Sequence, residues 1–240
     1  MKYLFLLVVV ILTSHPKQTL VCGRIRYGFI PNDVNIEEKQ NKKELYMLIE
    51  KMNEMSSDLE FILDFNSNES LFYFDEQMNS DLNPMATSFV KNIVSKGRYY
   101  YNLGNNELLR EASRYEKYTL VKSTSSNVDW TLTNESKKIG NYTCYKAITK
   151  KINVNDSGIY EFLIEAWYTP QIPVKFGPKE FNHLPGLILE LKDTHYTLYA
   201  KNISLSTNNS CKIEPLISKN IITKIQHQED LKNSYKNLKQ

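Results

Sequence analysis

The sequence is poor in the residues from which metal and cofactor sites are built. It has four histidines and three cysteines in 240 residues. No Cys/His pair stands at zinc-ligand spacing, and H-E-x-x-H is absent. The eight glycines are scattered singly, so no phosphate-cradling loop, P-loop or dinucleotide fingerprint can be drawn. Neither a metal nor a cofactor is expected. Charge of one sign is missing too: 30 Lys and Arg stand against 27 Asp and Glu. That balance removes the electrostatic motive for binding nucleic acid or an anionic membrane. After the first dozen residues no apolar run approaches the ~20 residues of a membrane-spanning helix, so no transmembrane segment is expected.

What the chain does have begins with an export signal. Met1-Lys2 supplies a positive charge, Tyr3 to Leu12 is unbroken apolar sequence, and Thr13 to Gln18 breaks it. The run is about half a membrane span, which suits a removable signal. The expected organisation is a signal over residues 1–22, cleaved somewhere from Ser14 to Cys22, one β-rich domain over 23–225, and a polar tail or frayed helix over 226–240. Thr19-Leu20-Val21 lacks the small residues wanted before a lipidated cysteine, which counts against a lipid on Cys22. Cys144 and Cys211 are then the cysteines of the exported domain. Two readings stand: a disulfide stabilising the fold by roughly 3–5 kcal/mol, or two separate buried thiols.

Periodicity along the domain is mostly two. Ile25, Tyr27 and Phe29 alternate in a strand ended by Pro31-Asn32-Asp33. Leu45, Leu48, Ile49 and Met52 then recur at helical spacing between Lys43 and Ser56. Strands are expected at 59–65, 70–74, 98–103, 107–115, 117–123, 130–133, 141–150, 160–168, 187–191 and 196–205. A second helix is expected over Leu82 to Ser95, entered at Asn83-Pro84 and stopped at Gly97. Many short strands separated by turn residues predict an α+β domain of mainly β structure, an antiparallel sheet with one or two packed helices.

The most structured stretch runs from Glu165-Ala166-Trp167-Tyr168-Thr169-Pro170 through Gly177-Pro178-Lys179-Glu180-Phe181 to Leu184-Pro185-Gly186-Leu187-Ile188. Pro185-Gly186 is the pair a type II turn wants, and Gly177-Pro178 makes a second bend. Leu187, Leu189 and Leu191 are expected on one strand face, Ile188 and Glu190 on the other. This block resembles the signature of the GLPGLI family, exported proteins typical of Bacteroidota. Gly23-Arg24-Ile25-Arg26-Tyr27, Trp130 with Lys138-Ile139-Gly140, and Tyr142-Thr143-Cys144-Tyr145-Lys146-Ala147 agree with it in order. One departure is His183, where the family hexapeptide has its first glycine. The resemblance implies a strongly curved antiparallel sheet, a bowl or half-barrel. It is similar to the bowl-shaped N-terminal domain of type II peptide-N-glycosidase F, whose chemistry lies in another domain. It implies Gly177, Pro178, Leu184, Pro185, Gly186, Leu187 and Trp167 as structural motif residues, and carries no catalytic residue with it.

Candidate chemistry reduces to two carboxylates. On the strand over 160–168, Glu161, Leu163, Glu165 and Trp167 share one face, and Glu190 lies on the less apolar face of the Leu187 strand. If those strands pair, Glu165, Glu190 and Trp167 share a surface, in composition like a glycosidase site. The same residues describe a solvated sheet face with a tryptophan packed over aliphatic stems. Cys144 with His183 or His195 is the remaining nucleophile arrangement, set against a buried or disulfide-bonded cysteine. Three functions follow: a non-catalytic exported binding module, an envelope or glycan hydrolase using Glu165 or Glu190, and a structural accessory domain. The partner would be an envelope protein, a glycan or an apolar ligand. The place would be the periplasm, the outer membrane or the medium.

Overall fold

A computed structural model describes residues 22–32, 50, 53–54, 58–76, 84–95, 97–112, 117–124, 128–155, 158–206 and 211–237. The signal segment lies outside them, as does most of the Lys43–Ser56 helix, within which the described Glu50, Asn53 and Glu54 are helical. Among the described residues twelve strands form one open, curved sheet. They are β1 (Cys22–Pro31), β2 (Phe61–Phe65), β3 (Glu69–Phe74), β4 (Tyr99–Asn102), β5 (Glu107–Ala112) and β6 (Thr119–Thr124). Then come β7 (Thr131–Ile139), β8 (Tyr142–Asn155), β9 (Gly158–Thr169), β10 (Leu187–Lys192), β11 (Tyr196–Ser206) and β12 (Asn220–Thr223). Helix α1 spans Pro84–Val94 and α2 spans Lys224–Asn237.

The order across the sheet is β12-β6-β5-β4-β3-β2-β1-β11-β10-β9-β8-β7. Two runs of hairpins, β1 to β6 and β7 to β11, meet where β1 pairs with β11. Every pairing is antiparallel except β12 with β6. The sheet is therefore mixed where a purely antiparallel one was expected, because the chain crosses from β11 to the far edge before adding its last strand.

Period two divides the sheet into an apolar inner face and a charged outer face. Ile25, Tyr27 and Phe29 point inward with Phe61, Leu63, Phe65, Phe72, Ile164, Ala166 and Leu191, all buried in one cluster. Helix α1 adds Val90 and Val94 to that cluster. On the outer face opposite charges stand on neighbouring strands. Arg24 holds Asp64 at 2.6 Å, and Glu60 lies 3.0 Å from Lys201 and 3.4 Å from Arg26. Individually such exposed pairs contribute about 0–1 kcal/mol; their value here is to fix which face meets water.

Two irregular segments cover the two faces. Residues 170–186, between β9 and β10, fold back into the curve of the sheet with Ile172, Val174, Phe176, Phe181 and Leu184 buried. Phe176 reaches Phe65 of β2 and Tyr101 of β4, at ring distances of 6.4 and 6.1 Å. Residues 211–219 cross the outer face instead, where Ile213 and Leu216 cover Leu71, Tyr100, Leu109 and Leu120. Beyond β12, Thr223 and Gln226 cap each other across the first turn of α2, Gln226 N donating to Thr223 Oγ1 and Thr223 N to Gln226 Oε1.

Three local expectations are corrected. The disulfide joins Cys22 to Cys211, not Cys144 to Cys211; Cys144 is a buried free thiol. Cys22 is the first residue of β1, beside Ser206, so it belongs to the folded domain and its outward side meets the strap at Cys211. Gly186 has φ 159°, far from the +80° of a type II turn. Glycine is required there because a Cβ would fall on the carbonyl of Thr169. Finally, a register shift between Ile188 and Glu190 breaks the expected alternation of β10. The bulge places Ile188 opposite Tyr168, on the inner face, where it fills space beside Gly177.

Candidate functional site

The strands carrying Glu165 and Glu190 do pair. Glu190 stands opposite Trp167 and Lys192 opposite Glu165, so the two glutamates are diagonal neighbours, about 7–8 Å apart by sheet geometry. They lie on the outer face, however, and each is engaged by a lysine. Both oxygens of Glu190 accept from Lys137 Nζ, at 2.8 and 2.7 Å, and the same ammonium sits 4.3 Å from the Trp167 ring centre. Lys146 lies between Glu165 at 3.3 Å and Glu135 at 3.2 Å. The strand pairing brings Glu165, Glu190 and Trp167 together as a charge-neutral surface. Each carboxylate of this surface is ion-paired, and the Lys137 ammonium lies over the tryptophan ring.

An open groove of about 680 Å³ runs beside this surface, lined by Ile30, Asn32, Glu161, Leu163, Glu165 and Asp193. Its acids are also occupied. Glu161 is 2.8 Å from Lys150, and Asp193 accepts from the Thr194 amide at 2.7 Å and from Tyr196 at 3.3 Å.

The cysteine arrangement is not assembled. Cys144 sits near Lys137 and Glu190, and burial pushes its thiol up to about 11, with Lys137 only partly opposing this. Such a thiol is a poor nucleophile at neutral pH. His183 lies elsewhere, its Nε2 3.1 Å from the Tyr101 hydroxyl at the inner end of β4. His195 is exposed in the β10–β11 turn, and His227 lies on α2.

Of the motif residues, Gly177, Pro178, Leu184, Pro185 and Gly186 lie in the inner segment and Leu187 opens β10, whereas Trp167 stands on the outer face. Trp130 Nε1 donates to the Asn182 carbonyl at 2.9 Å, and its ring packs 6.1 Å from Phe181. Leu187 N bonds Ile172 O and Ile188 N bonds Phe176 O, both at 3.1 Å, tying the segment to the start of β10. Gly177 has no space for a Cβ, which would lie 2.6 Å from Phe181 O and 2.5 Å from Ile188 Cδ1. His183 takes φ 75°, so the position usually filled by glycine needs a left-handed backbone, which histidine adopts at some cost. Leu184 is buried while Pro185 is exposed.

One arrangement had no counterpart in the sequence reading. Lys179, at φ 59°, is buried inside the curve, its Nζ donating to Tyr196 Oη at 2.9 Å. Around it stand Glu180, Asp193 and Lys151, the last 3.8 and 3.7 Å from the two carboxylates. Burial pushes the Glu180 carboxyl up, but Lys179 and Lys151 outweigh it and hold it below its usual range. Burial likewise lowers Lys179, and the charges on Glu180 and Asp193 raise it above normal. This is a mutually neutralised internal ion cluster. Its only trace in the sequence is a charged pair directly after Gly177-Pro178.

Residues 130–162 and 155–190, which include Trp130, β7 to β9 and the whole inner segment, match one family. It is the GLPGLI-like family Porph_ging, "Protein of unknown function (Porph_ging)". The Porph_ging match thus falls on the segment that fills the sheet and on the strands β7 to β9 that precede it. No curated protein matches the chain. Among solved structures the chain is similar to PNGF-II, in its C2 and P21 crystal forms. The identities are 20% and 17%, the TM-scores 0.48 and 0.47, with 86% and 88% of this chain covered. It spans about a third, 32%, of the length of PNGF-II.

Proposed function

We propose that the chain is an exported, non-catalytic module that engages a partner through its outer surface. The filled interior counts against a ligand held on the concave face and moves the expected contact to the outer surface: residues 170–186 occupy the curve of the sheet with their own apolar side chains. An apolar ligand would have to displace Phe176, Phe181 and Leu184, which are among the most buried residues of the domain. A hydrolase would need a free carboxyl group, whereas Glu165 and Glu190 are both ion-paired. The Cys22–Cys211 bond supports an oxidising, extracytoplasmic setting.

The direct test is turnover. Purified protein is incubated with N-glycopeptides and with envelope glycans, alongside Glu165→Gln and Glu190→Gln. The expectation is no product above background for any of the three. Product formed by the native chain and lost in either variant would replace this reading with the hydrolase.

A further inference from the structure

The Cys22–Cys211 bond is unevenly accessible at its two ends. Cys22 opens β1 and is fully buried, its main chain in register with Ser206 of β11. Cys211 is half-exposed at the front of the strap. It lines an open hollow of about 360 Å³ on the outer face, with Arg24, Asp64, Ser204, Ser206 and Lys212 around it. Asp64 is taken by Arg24 at 2.6 Å and by the Tyr73 hydroxyl at 3.1 Å. Lys212 is exposed and has no ion-pair partner among the described residues. Glu214, also exposed, stands two residues further along and does not line the hollow. A disulfide exchanges at the sulfur that a thiolate can reach, and the exposed bonds are the labile ones. Here that sulfur is the one on Cys211.

The front of the strap has little else to hold it. Among the described residues its other fastenings are one long hydrogen bond and two aliphatic side chains. Asn66 Nδ2 donates to the Cys211 carbonyl at 3.4 Å, and Ile213 and Leu216 lie on Tyr100, Leu109 and Leu120. Against these stands the conformational entropy of every residue the strap keeps in place. The far end is held separately. Ser218 Oγ donates to the Tyr118 carbonyl, and β12 pairs with β6 over four residues.

We propose that Cys22–Cys211 is a redox latch, opened by a dithiol reductant that attacks Cys211 through this hollow. The reductant's thiolate forms a bond to the Cys211 sulfur, and the Cys22 sulfur leaves as a thiolate. The second thiol of the reductant then displaces the Cys211 sulfur and closes the reductant's own disulfide. Two electrons pass from the dithiol to the bond, and its two protons end on Cys22 and Cys211. The front of the strap then lifts from Tyr100, Leu109 and Leu120 while β12 stays paired. Closure is favoured by the same geometry. Cys22 remains fixed in β1, and Cys211 rides on a short tether ending at β12, so the two thiols keep a high effective concentration. Cys144 is buried in β8 and stays out of the exchange. The latch operates whether or not the outer face meets a partner.

The test uses the full exported domain in its oxidised form. It is incubated briefly with glutathione at neutral pH, quenched with acid, unfolded in iodoacetamide and mapped by mass spectrometry. The glutathione adduct is expected on Cys211, with the alkyl group on Cys22 and Cys144. Lys212→Glu should slow the reaction about threefold or more, because it repels the anionic thiol. An adduct on Cys22 instead, an unchanged rate in Lys212→Glu, or a native rate no faster than global unfolding would overturn the proposal. Dithiothreitol should then abolish the methyl contacts of Ile213 and Leu216 with Leu109 and Leu120, and reoxidation should restore them. The near-ultraviolet signal of the interior aromatics and the methyl shifts of Ile25 and Leu184 should stay as they were. Strap contacts that survive reduction would show the bond to be redundant. Interior signals lost together with the strap would show that it guards the whole fold. Either result sinks the latch.

Discussion

The inner and outer covers of the sheet solve the same problem by different means. Residues 170–186 are fastened along their length: main-chain bonds to β10, a tryptophan bonded to the Asn182 carbonyl, glycines at two close approaches and an internal ion cluster. Residues 211–219 are fastened at their ends, by the disulfide at Cys211 and by β12 pairing with β6, with two apolar side chains between. The inner cover is part of the core. The outer one is a strap, tied down covalently because it has little apolar area with which to hold itself.

This contrast predicts a graded series of effects. Gly186→Val should be the most severe. Its side chain would collide with the Thr169 backbone at the foot of the inner segment, and a loss above about 4 kcal/mol is expected, visible as failure to accumulate folded protein. Normal urea unfolding of that variant would mean that the inner segment is not integral. Replacing both Cys22 and Cys211 by serine should cost roughly 2–5 kcal/mol. The near-ultraviolet signal of the interior aromatics should nevertheless survive in the folded fraction, since the strap lies on the other face.

Acid sharpens the comparison. The folded Glu180 carboxyl is held below its usual value, so its contribution is present above the unfolded pKa and is lost as pH falls through the folded one. The urea midpoint should therefore drop below about pH 4, and Glu180→Gln should flatten that limb. If the limb is unchanged in Glu180→Gln, the cluster does not fasten the inner segment. The smallest effect is expected at Glu190→Gln, under about 1 kcal/mol, because the pair with Lys137 is partly exposed on the sheet surface. A larger loss in a denaturation curve would show the outer face to be more than a solvated one.

Much of this was legible from period two. The alternation of Ile25, Tyr27 and Phe29, and that of Glu165 and Trp167 against Ile164 and Ala166, names the correct faces because one side of each strand is buried. Pairing of β9 with β10 was a condition, and it is met. Three things were not legible. Cys22 stands at the last position of the expected signal, residues 1–22, while only the β1–β11 register brings it to the strap. Lys179 is a charged residue that ordinarily marks solvent, and its burial depends on Tyr196 and Asp193 arriving from another hairpin. The lysines that neutralise Glu190 and Glu165 sit on β7 and β8, and the irregular register of β7 sets the position of Lys137.

The bond between Cys22 and Cys211 closes a sequence separation of 189 residues. A chain that emerges N-terminus first exposes Cys22 long before its proper partner, and Cys144 appears in between. During that interval the wrong pair is the available one. Correct oxidation then requires either that β8 bury Cys144 early or that an isomerase reopen a premature bond. The last strands to emerge thus decide the fate of the first thiol, and maturation of this fold is governed by timing as well as by its final stability.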